Sequence, residues 1–131
     1  MTRSSTGERL GLLVVGHGSR RDAANAVLLG VADAVAARVP AHAVRPAFLE
    51  IAAPTIAESY AALAAAGCDH LVVHPYFLYP GNHSTHDIPA ALAAAAETYG
   101  PLPWVLTDPL NLDPRIVDVV ADRVAAALEA P

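Results

Sequence analysis

Leu12-Leu13-Val14-Val15-Gly16-His17-Gly18-Ser19-Arg20-Arg21-Asp22 is the stretch that decides the architecture. Its apolar opening reads as a buried strand. Gly16-His17-Gly18 then turns the chain sharply and leaves an imidazole on the turn. Ser19 reads as the N-cap of a following helix, with Asp22 three residues on in capping-box style. His17 is thereby expected at the carboxyl end of a strand, beside a helix N-terminus. Open α/β sheets hold their ligands at that edge.

Outward from this stretch the pattern repeats. Strand one runs Leu10 to Gly16, and a helix is expected over Asp22 to Arg38 with Val27, Val31, Ala34 and Val35 on its apolar face. Pro40 marks its end. Ala43 to Glu50 reads as strand two, on an edge because Pro46 interrupts its donors. Ala53-Pro54-Thr55 opens a second helix with Pro54 near its first turn, Ile56, Tyr60 and Leu63 on one stripe, and Gly67 at C′. His70 to Tyr79 reads as strand three, with a bend or an early end of pairing at Pro75. After the Pro80–His83 loop, Ser84, Thr85 or Asp87 caps a third helix that holds Pro89 in its first turn. Ile88, Leu92 and Ala95 face inward there, and Gly100 follows the helix end. Pro103 to Thr107 is a short fourth strand. Asp113-Pro114 starts a last helix whose Val117, Val120, Val124 and Leu128 are expected to face the core.

Strands alternating with helices of this length predict a three-layer α/β fold: a four-stranded parallel sheet, order 2-1-3-4, with helices on both faces. The order reverses between strands one and three, which opens a crevice flanked by His17 and His83. Residues 1–8 are polar and read as a flexible N-terminal tail, and residues 9–131 as a single α/β domain.

Composition narrows the function. The chain is 131 residues long and 54% hydrophobic, enough for one domain with a real core. Its net charge is −5 and it has no lysine, which argues against general binding of nucleic acid. Its eight arginines still allow an anionic small molecule to be gripped locally. The lone Cys68 forms no internal disulfide and fits a reducing cytoplasm; a buried, inert thiol is expected. The apolar run after the tail is too short for a membrane span and lacks a leader's cleavage pattern.

Residues 17, 50 and 83 are evenly spaced, 33 apart, so each is delivered by a successive βα unit to the same edge. Two imidazoles and a carboxylate with open positions suit a divalent iron-like ion, and cobalt, nickel and zinc accept the same donors. The plainer reading of Glu50 is a solvated carboxylate at the next helix start, and that of His83 a polar loop residue. His86, three residues after His83, is a further candidate for metal or substrate. His42 reads as solvated, His70 as structural and His74 as a hydrogen-bonded core imidazole. Arg20 and Arg21 stand at the crevice rim, where they would grip carboxylates bidentately rather than only add surface charge. Tyr76, Phe77, Leu78 and Tyr79 read mostly as core, with one or two lining an apolar wall for a flat ring.

These residues carry a resemblance. Val14-Val15-Gly16-His17-Gly18-Ser19-Arg20, Phe48-Leu49-Glu50 and Pro75-Tyr76-Phe77-Leu78, continued by Gly81-Asn82-His83 and Asp87-Ile88-Pro89, are similar to the CbiX/SirB family of class II chelatases. Pro109-Leu110, Asp113-Pro114-Arg115 and Asp122-Arg123-Val124 resemble that family's C-terminal helix, so the likeness spans about Leu12 to Val124. The resemblance implies a chelatase-like fold and insertion of Co²⁺ or Fe²⁺, with Ni²⁺ a third option, into sirohydrochlorin for sirohaem or cobalamin synthesis. It implies His17 and His83 as metal-binding and catalytic residues with Glu50 as their acidic partner. Ser19, Arg20, Arg21, Asn82 and Ser84 are then assigned to the tetrapyrrole. It further implies the metal ion as substrate, no organic cofactor, and the short form that works as a homodimer. His86 is a departure from the family pattern.

Two other classes compete. A histidine phosphatase would carry Arg immediately before His-Gly, where this chain has Gly16. A metal carrier without catalysis would use the same donors. A dinucleotide fold is disfavoured, because Arg21 stands where the fingerprint needs its third glycine.

Overall fold

β1 (Leu10–Gly16) is buried along nearly its whole length, and the fold is built around it. A computed structural model describes residues 9–130. The expected tail, residues 1–8, lies outside the described residues, as does Pro131. β2 (Ala43–Phe48) pairs parallel to β1 on one side and β3 (His70–Pro75) on the other, and β4 (Trp104–Leu106) pairs with β3. The order is β2-β1-β3-β4. Pro46 is tolerated because β2 is an edge strand.

Side chains alternate across the sheet. Leu13, Val15, Leu71 and Val73 meet α2 (Ile56–Ala65) and α3 (Ile88–Tyr99) through Ile56, Tyr60, Leu63, Ile88, Leu92 and Ala95. Leu12, Val14 and Phe48 meet α1 (Asp22–Ala36) on the other face through Leu28 and Ala32. The buried Tyr60 hydroxyl donates to the Gly100 carbonyl (2.7 Å) and accepts from the Leu102 N–H (2.9 Å), which ties α2 to the chain leaving α3.

Several boundaries differ from the sequence reading, each for a local reason. β2 ends at Phe48 and β3 at Pro75, because the chain beyond them bends into the loops of the cleft described below. The core stripe of α1 is Leu28 and Ala32, with Val31 and Val35 half-buried; Val27 is 59% exposed and Ala34 is exposed. Leu28 fills the space left by the missing Cβ of Gly16, 2.9 Å from where that atom would stand, and this sets the rotation of the helix. Ser19 is not the helix cap: α1 starts after Arg21, and the Ser19 hydroxyl instead accepts from the Arg21 N–H. Pro54 precedes α2, whose cap is Thr55 in a reciprocal capping box with Glu58. None of Ser84, Thr85 and Asp87 caps α3 through its side chain; a π-helical turn, His83–Asp87, runs into it directly.

The largest departure is α4 (Pro114–Glu129). It starts as expected, with Asp113 accepting from the Arg115 N–H. Yet none of its residues is buried: Val117, Val120 and Val124 are about half exposed and Leu128 is 82% exposed. The periodicity correctly marks an apolar stripe, but this chain's own core does not receive it. Among the described residues no helix is long and apolar enough to cross a membrane.

Candidate functional site

The strand ends are laced together by backbone hydrogen bonds, and this lacing builds the site. Leu49 N–H donates to the Gly16 carbonyl (2.9 Å), and Glu50 N–H to that of His17 (3.1 Å). On the other side Tyr76 N–H donates to the Val15 carbonyl (2.8 Å). The loops after β1, β2 and β3 are thus held side by side at the carboxyl edge, where the strand order reverses. Gly18 lets two of them touch. Its φ is +103°, and a Cβ there would stand 1.9 Å from the Glu50 carbonyl oxygen. Asn25 clasps the same loop from α1: its amide oxygen accepts from the Ser19 N–H (2.9 Å) and its NH₂ donates to the Ser19 carbonyl (2.8 Å).

This frame brings the two predicted histidines together. The rings of His17 and His83 face each other with centroids 4.7 Å apart and planes tilted by 57°. Each is paired with a carboxylate. His17 Nε2 lies 3.1 Å from Glu50 Oε2, and His83 Nδ1 lies 3.1 Å from Asp87 Oδ2. A carboxylate accepts, so Asp87 favours the proton on Nδ1 of His83 and leaves the Nε2 lone pair for a cation. All four side chains are about half exposed, so an ion in water can reach them. His17, Glu50 and His83 do not form a ready-made three-ligand cage: among the described residues no three His, Cys, Asp or Glu side chains are so grouped. Two imidazoles with open positions, each backed by a carboxylate, suit a labile ion better than a structural one.

Beside the pair opens a cleft of about 350 Å³, lined by His17, Phe77, Leu78, Tyr79, His83 and Ser84. Phe77 stacks on His83, with centroids 6.3 Å apart. Leu78 and Tyr79 are 58% and 73% exposed and form cleft wall, while Phe77 both lines the cleft and packs against the α2–α3 core. Tyr76 alone of the four packs into the α1-side core. The wall is apolar and aromatic, with imidazole nitrogens at one end. Such a surface suits the face of a flat ring, with the two imidazoles at its edge free to hold a cation.

Comparison with known proteins decides the family. The CbiX family model matches residues 11–127. The chain belongs to the CbiX family. A sirohydrochlorin cobaltochelatase of Methanothermobacter thermautotrophicus is 34% identical over 97% of this chain and 99% of its own length. The chloroplastic sirohydrochlorin ferrochelatase of Arabidopsis thaliana is 32% identical over 98% of this chain and 57% of its own. The crystal structure of the sirohydrochlorin chelatase SirB from Bacillus subtilis subspecies spizizenii in complex with cobalt superposes with a TM-score of 0.84 and 31% identity. That match covers 90% of this chain and 50% of SirB. The chain therefore spans little more than half the length of the plant enzyme and half that of SirB.

Ser19 and Arg20 border a second hollow between α1 and the loop after β2. Arg21 and Asn82 are exposed at the heads of α1 and of the π-helical turn. Ser84 is buried, and its hydroxyl is engaged with Gly81, donating to the carbonyl (3.1 Å) and accepting from the N–H (3.2 Å). It shapes the loop, and its hydroxyl is not offered to a ligand. His86 is 82% exposed and lies 3.7 Å from the far oxygen of Asp87, off the cleft lining.

Away from the site, His42 is exposed but bonded to the Ala66 carbonyl, and His70 is paired with Asp69. His74 Nδ1 meets Thr107 Oγ1 (2.8 Å), and burial pushes its pKa below the ordinary histidine value. Cys68 is buried, and that burial raises its thiol pKa. Asp87 and Asn25 are the two site residues that sequence reasoning missed. Their signals were an acid four residues after His83 and an Asn in the first turns of a helix behind His17.

Proposed function

We propose that this chain inserts a divalent metal ion, Co²⁺ or Fe²⁺, into sirohydrochlorin, with the metal as a substrate and no organic cofactor. Ni²⁺ is a third ion that the same donors accept. The observation that carries this reading is the pair of imidazoles 4.7 Å apart at the carboxyl edge, opening onto an aromatic cleft. Residues 9–131 form the working unit, as a cytoplasmic homodimer.

His17 and His83 hold the ion at the edge of the cleft while its remaining positions keep water. The tetrapyrrole lies along Phe77, Leu78 and Tyr79. Pyrrole nitrogens replace the waters one by one, and two pyrrole protons leave as two metal–nitrogen bonds form. Glu50, 3.1 Å from His17 Nε2, takes one of these pyrrole protons and water at the open cleft takes the other. Ring carboxylates meet Arg20 and Arg21, with Ser19 at the turn and Asn82 across the cleft. His86 stays outside the coordination sphere. The metal leaves with the product, which is why two or three nitrogen and oxygen donors serve better than a thiolate cage.

Purified protein mixed with sirohydrochlorin and each ion in turn tests this reading. Ring absorbance should change faster with protein than without it for Co²⁺ or Fe²⁺. Tight metal uptake with no acceleration for any ion would make the chain a carrier and reject the assignment.

A further inference from the structure

Leu78 and Tyr79 form the outer wall of the cleft, yet both are exposed, so burial in a core does not fix them. Pairing of β3 with β1 ends at Pro75, so the sheet does not hold them either. A loop with so little burial keeps one position only if its backbone is tied down. The ties come from a distant part of the chain, the strap between β4 and α4. The Leu110 N–H donates to the Phe77 carbonyl (2.9 Å), and the Asn111 N–H donates to the Leu78 carbonyl (2.7 Å). The strap is anchored at both ends. The Thr107 N–H donates to the Val73 carbonyl (2.9 Å), and Asp113 caps α4 by accepting from the Arg115 N–H (2.9 Å).

Between the second tie and that cap stand only Asn111 and Leu112, and Leu112 is 90% exposed. Asn111 makes the turn, with φ of +56°. Asparagine enters this left-handed region more readily than other side-chain-bearing residues, and β-branched residues enter it least. A residue that resists the turn must displace either the helix start or the tie at Leu78. The helix is 16 residues long and capped, whereas the tie is one hydrogen bond, so the tie gives way. We infer that Asn111 is a positioning residue for the tetrapyrrole: its left-handed backbone keeps both ties made, and they set Phe77, Leu78 and Tyr79 as a wall for the ring. Asn111 is not part of the cleft lining and acts only through that wall. The imidazoles are held by other contacts, the Glu50 N–H on the His17 carbonyl and Asp87 on His83, so the metal site does not depend on the strap. The inference rests on the chelatase reading and adds a residue that governs how tightly the ring is held.

The test compares Asn111→Val, Asn111→Ala and Asn111→Gly in the full chain. Valine and alanine resist the left-handed backbone, and glycine accepts it. Asn111→Val should raise KM for sirohydrochlorin at least about fivefold and leave kcat with Co²⁺ within about twofold of wild type. Asn111→Ala should move the same way, and Asn111→Gly should stay within about twofold of wild type in both constants. The dissociation constant of metal-free sirohydrochlorin, from an absorbance titration, should follow KM, while Co²⁺ affinity measured without the ring should not change. Wild-type KM and ring affinity in Asn111→Val, or in Asn111→Ala if the valine variant does not fold, would overturn the inference and leave the chelatase reading standing. Equal loss of ring affinity in Asn111→Gly would overturn it as well, because the backbone angle would then not be what matters. A fall in kcat or Co²⁺ affinity as large as the rise in KM would show that the strap holds the imidazoles too, and would overturn its assignment to the wall. A wild-type chain that neither binds sirohydrochlorin nor inserts metal into it would overturn both readings.

Discussion

Asp87 Oδ2 lies 3.1 Å from Nδ1 of His83, one π-helical turn away, and this contact orients the imidazole toward its partner His17. Removing the acceptor's charge tests what the orientation is worth. Asp87→Asn should lower metal insertion by roughly 10–100-fold, the range for groups that orient a metal-binding histidine. Its urea midpoint should stay near wild type, because the pair is half exposed. An unchanged rate would show that His83 needs no such support.

Gly18 holds the β1 and β2 loops in contact. Gly18→Ala forces a side chain into left-handed backbone and against the Glu50 carbonyl. It should cost more than about 1 kcal/mol in urea denaturation and reduce insertion by moving Glu50 away from His17. A variant with both quantities unchanged would mean the loops are free to separate.

How far the sequence was legible depends on whether a residue's role is local. β1 is found at its expected bounds, and Ile88, Leu92 and Ala95 are buried as read, because strand and helix periodicity report directly on which face meets a core. The strand order followed from Pro46 and the βα alternation. The approach of His17 and His83 followed from their shared edge. The α1 stripe was read one residue out of place, since Leu28 is chosen by the hollow at Gly16 on another element. The α4 stripe was seen, but an apolar stripe does not say whose surface receives it. Asp87 reads as a helix cap from sequence because His83 is placed in a loop; once the chain winds into a turn from His83 onward, the four-residue spacing brings the carboxylate to the imidazole.

Tyr60 offers a stability test away from the site. Tyr60→Phe removes one hydroxyl and leaves the Gly100 carbonyl and the Leu102 N–H without their partner. The expected loss is about 1–3 kcal/mol, read from the urea midpoint. A negligible change would show that water replaces the hydroxyl at the end of α3.

His74 predicts how stability depends on pH. Burial holds its pKa below that of the unfolded chain, so on acidification the unfolded state takes up this proton first. The contribution of His74 is therefore present above the ordinary histidine pKa of about 6.5. It is lost as pH falls through that value and levels off below the folded-state pKa. His74→Gln, with an amide facing Thr107, should flatten this part of the profile. A wild-type profile unchanged by the substitution would assign the acid sensitivity to other groups.

The account depends most on the facing imidazoles. The initial rate of cobalt insertion into sirohydrochlorin should be measured for wild type, His17→Ala and His83→Ala at matched folded concentration. Each variant should lose at least about 10²-fold, the upper end of what a supporting residue alone would cost. A near wild-type rate in either one would contradict the account.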